Sequence, residues 1–480
     1  MNFRKSLLLF AIPLAIATLE GCQKELVENN EVDTPVEQIV DPEQGKLVSA
    51  TLKSVQPVEE AVQNAFAKAG SIYQKDELLK STKLFESKFF GTKWQLETYR
   101  ITYNTKDYRG KTIQLCGDIA FINGTTRFAG PHSLSNIFVF NTMFSTNMDA
   151  AVGFEPIVMP TRALRNSLVV FPLYQGVAGD EGINTISVAE PLLKARQTID
   201  CELAAIEFLK QKGIALEEGY YTENVGISNG SGAALAFQYL LEGTPWYEGI
   251  NSDIIRLRGT YCAEGCYSFS RLVPMVFEPA PELEGEDLLT RITKSLRTVC
   301  FVAVVAGTFD AWKGVKKDMF HEFFEHTGKA EDFFSDKFIN ETPAGGYKNY
   351  VEYFRSGTMP MGDSELINMN VHEMVNPCLL DENGCLKMEH PYVKDLISAL
   401  SVGDVMLDGW TPKSGLRIAH SKSDDFIPFS QPEMVYENLS NNGFNRNVSF
   451  VTKESLGHLD GTLYFFLRDI ILKDHPCPID

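Results

Sequence analysis

Asn224-Val225-Gly226-Ile227-Ser228-Asn229-Gly230-Ser231-Gly232-Ala233-Ala234 is the stretch that decides how this chain is read. A short apolar strand runs into Gly-x-Ser-x-Gly, and a helix of small residues follows at once. Side chains beside the serine would clash in so tight a strand-to-helix turn, hence the glycine on either side. The turn lifts the Ser228 hydroxyl off the end of a sheet. The helix N-terminus beneath it offers backbone N–H groups and a favourable field to a developing oxyanion. The same glycines permit a dinucleotide-loop reading over Gly230-Ser231-Gly232-Ala233-Ala234-Leu235. That alternative is weaker, because its last glycine is replaced and no acidic residue closes a strand about twenty residues on.

A serine in such a turn needs a base, and the chain order that goes with the turn is Ser, then Asp or Glu, then His. Of eight histidines in the chain, only His458 and His475 follow the acid candidates. His475 lies beside Pro476 near the C-terminus, a poor place for fixed geometry. His458 follows a strand ending at Thr452 and precedes an amphipathic helix, so it sits on a loop at a strand's carboxyl end. The acid candidates lie in Ile418-Ala419-His420-Ser421-Lys422-Ser423-Asp424-Asp425-Phe426-Ile427-Pro428, where a strand gives way to a polar turn. Asp424 and Asp425 both suit the role of orienting the base, and His420 reads as structural. The oxyanion would take one donor from the backbone N–H of Asn229. The other would come from Thr142 or Met143, in the loop after the strand 136–140.

Working outward, residues 57–95 carry helical spacing at Val58, Val62, Phe66 and Ala69, and from Gln95 the period changes to two. Tyr99–Asn104 and Ile113–Ile122 read as strands paired across the turn Asp107–Gly110. Residues 136–140 and 167–171 are continuous apolar runs, the pattern of strands buried on both faces. Helical stretches at 189–211, 231–242, 431–442 and 461–473 alternate with them, which predicts a parallel sheet with helices on both sides. Between 268 and 405 the alternation breaks into helix-like segments (284–303, 315–328) and a looser stretch, and strand patterning returns at 415–419 and 447–452. The expected organisation is one α/β domain (47–267 and 406–480) carrying a mainly helical insertion, 268–405, over its mouth.

The first residues read as an export signal rather than part of the fold. Arg4 and Lys5 precede an apolar run, Leu7–Ala17, too short to cross a bilayer. Leu19-Glu20-Gly21-Cys22 resembles a lipobox, with Cys22 as the acylated mature N-terminus; because Glu20 stands where a small residue is usual, an ordinary signal peptide is the alternative. Residues 22–46 are acidic and aperiodic, the composition of a solvated tether. The expected location is the periplasmic face or outer surface of a Gram-negative-type envelope, with membrane attachment through the lipid alone. A net charge of −19 argues against nucleic acid as a partner. Nine cysteines in an exported chain leave Cys262/Cys266 and Cys378/Cys385 as close pairs that a disulfide could join. His321–His326 has the composition of a zinc helix, but its histidines are five apart and off one face. Asp381–Gly384 resembles a calcium loop whose first and last positions, Leu379 and His390, do not fit. No metal or cofactor is expected.

From Tyr99 onward the chain resembles secreted bacterial lipases and esterases of the α/β-hydrolase superfamily that carry a helical lid. The residues behind this are Tyr99–Tyr103 with Gly117–Ala120, the segment Leu168–Gly176, the Gly226–Gly230 turn, and Trp410-Thr411-Pro412 ahead of Asp424–Pro428. The resemblance implies Ser228 as nucleophile, Asp424 rather than Asp425 as acid, and His458 as base. It also implies hydrolysis of a small-molecule, lipid or glycan ester through an acyl-enzyme. Three positions depart from the group: Asn141-Thr142 stands for His-Gly, Leu173 for an aspartate, and Ser231 for a glycine. The rival readings are a serine peptidase or acylaminopeptidase, and a surface-binding lipoprotein without activity.

Overall fold

β1 (Leu47–Pro57), β2 (Gln95–Lys106) and β3 (Thr112–Asn123) form an antiparallel meander in the computed structural model. β3 then pairs antiparallel with β5 (Ser167–Pro172). Beyond that point every pairing is parallel, running from β5 through β4 (Ser133–Asn141), β6 (Ala215–Ile227), β7 (Leu257–Ala263) and β8 (Gly415–Ser421) to β9 (Val448–Lys453). The result is one nine-stranded sheet. The structure describes residues 43–73, 94–123, 133–141, 154–174, 189–244, 251–277, 300–309, 311–312, 328–341, 371–405, 409–443, 446–473 and 475–477.

The apolar runs become central strands because both of their faces are sealed. In β4, Phe138 and Phe140 join one buried cluster while Ile137 and Val139 join another across the sheet. β5 repeats the division, with Val169 and Phe171 on one side and Leu168 and Val170 on the other. Each such side chain contributes roughly 1.5–3 kcal/mol relative to exposure.

Helix α1 (Val58–Tyr73) lays Val58, Val62 and Phe66 on the first cluster, as their spacing predicts. α2 (Phe154–Ala163) covers the same face, while α3 (Pro191–Lys212) sends Cys201, Ala205 and Leu209 into the opposite one. α4 (Asn229–Gly243) follows β6 directly. Between β7 and β8 the described residues form no strand beyond two isolated bridges. They hold α5 (Phe269–Met275), a helical stretch at 300–309, and α6 (Pro391–Ser401). α7 (Ser430–Asn441) and α8 (His458–Phe465) flank β9 in sequence.

β1, β7 and α2 are additions to the sequence reading. β1 is the sheet edge and mostly exposed, so its apolar residues carry no core pattern. β7 is fully sheet-paired, but Arg258 and Gly259 interrupt its apolar run. No helix among the described residues is long and apolar enough to cross a membrane. Cys22, residues 22–42 of the tether and the 321–326 histidines lie outside the described residues; the tether's last four residues, 43–46, are instead docked on the domain, with Gly45 N–H donating to Asn104 O at 2.9 Å and the Gln44 amide to Asp200 Oδ1 at 2.8 Å. All eight described cysteines are free thiols. Cys262 and Cys266 are buried in different clusters, so neither they nor Cys378 and Cys385 are bridged. Asp381 uses its carboxylate to close a turn, accepting from Asn383 N at 2.8 Å and Cys385 N at 3.0 Å.

Candidate active site

β6 ends at Ile227 and α4 begins at Asn229, which leaves Ser228 alone in the turn. Its backbone takes φ 52° and ψ −124°, a strained setting held by Ser228 N donating to Ala263 O at 2.8 Å. The closeness of strand and helix explains the glycines. A Cβ on Gly226 would stand 2.2 Å from the Gly230 carbonyl oxygen, and one on Gly232 would stand 2.5 Å from that of Cys266. Ser231, which replaces a glycine of the resembled group, braces the turn: its hydroxyl donates to Gly226 O at 3.0 Å and Ala263 O at 2.8 Å.

His458, the first residue of α8, brings Nε2 to 3.0 Å from Ser228 Oγ across 230 residues of chain. On the other side, its Nδ1 lies 2.7 Å from Asp424 Oδ2. With Nδ1–H donating to the carboxylate, Nε2 is left to accept from the serine hydroxyl. Asp424 Oδ1 accepts from the backbone N–H of Phe426 at 2.8 Å and of Ile427 at 2.7 Å, which fixes the carboxylate plane. Burial pushes the Asp424 carboxyl up; the charge and hydrogen bond of His458, together with a hydrogen bond from Glu264, outweigh it and hold the group below its usual range.

The neighbouring acid has a different place. Asp425 Oδ1 accepts from the backbone N–H of His458 at 2.8 Å, so it anchors the main chain of that histidine. His420 donates Nε2–H to Ile427 O at 2.9 Å inside the same loop. His475 is occupied elsewhere, 3.2 Å from Glu223 Oε1.

Asn229 N–H stands at the first position of α4, where helical N–H groups have no intrahelical acceptor. Thr142 and Met143 lie outside the described residues. Asn141 before them is a buried junction. Its amide nitrogen donates to Asn224 Oδ1 at 2.6 Å and Val225 O at 3.1 Å, and its oxygen accepts from Tyr174 at 3.2 Å and Thr198 at 3.1 Å. Leu173 is buried apolar packing.

A pocket opens beside Ser228 and Asn229. Its described wall is almost wholly apolar: Phe269, Leu272 and Val273 from α5, Phe301 and Val304 from the 300–309 helix, Phe426 and Ile427 from the acid loop. Sequence reasoning missed Glu264, a buried acid one residue beyond β7. Carboxyl oxygens of Glu264 and Asp424 and a ring nitrogen of His458 lie within 4.8 Å of one another, the one grouping among the described residues with the donor set of a metal site. The Asp424 and His458 atoms are already committed to each other at 2.7 Å.

No protein-family model matches the chain, and no curated protein matches it in sequence. Solved structures do match. The rice cell wall degrading esterase LipA from Xanthomonas oryzae, in a ligand-bound form, superposes with a TM-score of 0.57 at 16% identity, covering 89% of this chain and 95% of LipA. Candida antarctica lipase A superposes with a TM-score of 0.53 at 12% identity, over 89% of this chain and 80% of its own. Its closed state gives 0.51 at 12%, over 91% and 85%. The chain has the α/β-hydrolase fold. In that fold the carboxyl ends of the parallel strands are where ligands bind, and here β6, β7, β8 and β9 bring Ser228, Glu264, Asp424 and His458 to that edge.

Proposed function

We propose that this α/β-hydrolase is a serine hydrolase that cleaves carboxylic esters through an acyl-enzyme. The observation that carries the reading is the chain of contacts from Ser228 through His458 to Asp424, at 3.0 and 2.7 Å. His458 takes the Ser228 proton as Oγ attacks the ester carbonyl. Asp424 holds the ring in the tautomer that can do so and stabilises the imidazolium. The tetrahedral oxyanion would be held by Asn229 N–H, a donor worth about 3–4 kcal/mol, with Thr142 or Met143 the residue assigned as source of a second. His458 then protonates the leaving alkoxide, and water repeats the sequence to free the acid. The apolar wall of the pocket suits an acyl chain or other apolar ester group, and the fold is shared with proteins titled esterase and lipase. The N-terminal pattern adds an exported lipoprotein anchored at Cys22.

The test is a fluorophosphonate probe and a series of p-nitrophenyl esters on the native chain and on Ser228→Ala. Labelling and turnover that disappear in the variant support the reading. A folded protein that neither labels nor hydrolyses any ester overturns it, and turnover confined to aminoacyl amides replaces it with a peptidase.

A further inference from the structure

Beside the proposed relay lies a second acid that the mechanism above does not use. Glu264 is the first residue after β7 and takes a φ of 49°, a left-handed setting rare for a side chain with a Cβ. Its side chain is fully buried. Ser421 N–H donates to both of its carboxyl oxygens at 3.1 Å, fixing it at the start of the loop that carries Asp424. It also touches the element that carries the base: a Cβ on Gly461 of α8 would stand 2.0 Å from Glu264 Oε1.

Two carboxyls this close in a buried site cannot both ionise. Asp424 is the one suited to the charge, since two backbone N–H groups and the His458 ring donate to it. Burial, followed by the charge of Asp424 and a hydrogen bond to it, raises Glu264 well above the usual carboxyl range, with Asp425 adding to the effect. The remaining titratable neighbours are His420, His458, Tyr261 and Tyr267. His420 does not supply a counter-charge. Its Nε2–H is spent on Ile427 O, burial lowers its basicity, and its Nδ1 faces Glu264 Oε2 at 3.5 Å with no hydrogen bond of its own among the described residues.

We propose that Glu264 is an un-ionised carboxylic acid whose proton is shared with Asp424, and that it is a positioning residue for the catalytic acid. This rests on the serine-hydrolase reading and deepens it. The Glu264 proton ties the acid loop to the end of β7, keeps the Asp424 carboxylate turned toward His458, and leaves one negative charge rather than two behind the imidazole.

The test compares Glu264→Gln, which keeps a neutral donor, with Glu264→Ala, which does not. Infrared spectra of the native protein minus Glu264→Gln are expected to contain the carbonyl stretch of an un-ionised acid at neutral pH. The difference is needed because Glu202, raised to about 8, is protonated there too. Glu264→Ala is expected to lower kcat by about 10- to 100-fold, the usual cost of losing an orienting partner, with KM little changed. Its acid limb in kcat/KM against pH moves, as a purely structural loss would not make it do. Glu264→Gln is expected to recover most of that loss. No carboxylic-acid band, a Glu264→Gln variant as impaired as Glu264→Ala at native thermal stability, or a fully active Glu264→Ala would each overturn the proposal. A Glu264→Ala variant that does not fold leaves the infrared difference and the glutamine variant to decide. Failure of the hydrolase reading is separable, since a native protein inert to esters and fluorophosphonate still gives or withholds the infrared band.

Discussion

Asp424 and Asp425 are adjacent in sequence, yet one meets the ring of His458 and the other its main chain. Asp424→Asn turns an acceptor into a partial donor against Nδ1–H and disfavours the working tautomer, so kcat is expected to fall about 10⁴-fold. Asp425→Asn keeps an amide oxygen that can accept from the first N–H of the helix, so its kcat is expected to fall by less than about tenfold. Ester turnover of the two variants side by side checks this, and equal losses would reverse the assignment. Ser228 and His458 are legible as candidates in the sequence because glycines and strand ends surround them in a recognisable order. Asp424 against Asp425 is not decided by the residues themselves; the resemblance chose, and the geometry gives each a separate partner. Glu264 and Asn141 carry no such signal. A lone acid after Cys262-Ala263 and a lone asparagine after Phe140 gain meaning only when strands distant in sequence lie side by side.

α3 holds an unusual load for a helix packed against a sheet. Glu202 is fully buried, accepts from Thr222 at 2.5 Å, and is raised by burial from 4.5 to about 8. Its other carboxyl oxygen has no partner among the described residues. In the unfolded chain this acid ionises above about pH 4.5, whereas the folded protein keeps it protonated up to about 8. Its contribution therefore grows less favourable as pH rises through that window and levels off above it. Glu202→Gln is expected to raise Tm, and by more at pH 8 than at pH 5, as thermal melts at the two values would reveal. A gain independent of pH would mean that the acid is ionised in the folded state. At this scale legibility follows burial. β4 and β5 are readable because sealing both faces demands continuous apolar residues, and α1 because one stripe of it meets the core. β1 escapes because an exposed edge strand is held by main-chain hydrogen bonds that any sequence can make.

In the whole molecule, the groups of the proposed relay come from opposite ends of a long interruption. β7 and β8 are neighbours in the sheet, yet Ala263 and Gly415 are separated by the entire 268–405 segment. The general architecture was readable because the strand–helix alternation resumes after that segment. Its internal arrangement was not, since helical spacing says which face is apolar but not what it meets. The separation also has a consequence in time. Parallel pairing across so long a loop must meet its closure entropy before contacts offset it, which slows folding. The strands up to β7 are contiguous and can pair earlier, whereas β8, β9 and α8 must dock later to deliver acid and base. During refolding from denaturant, far-ultraviolet circular dichroism is expected to recover ahead of fluorophosphonate labelling at Ser228. Coincident recovery would mean that the two halves of the sheet form in one step. The lag would make the late-docking strand pair a kinetic gate, so that a nascent chain carries Ser228 well before the proposed relay can act on it.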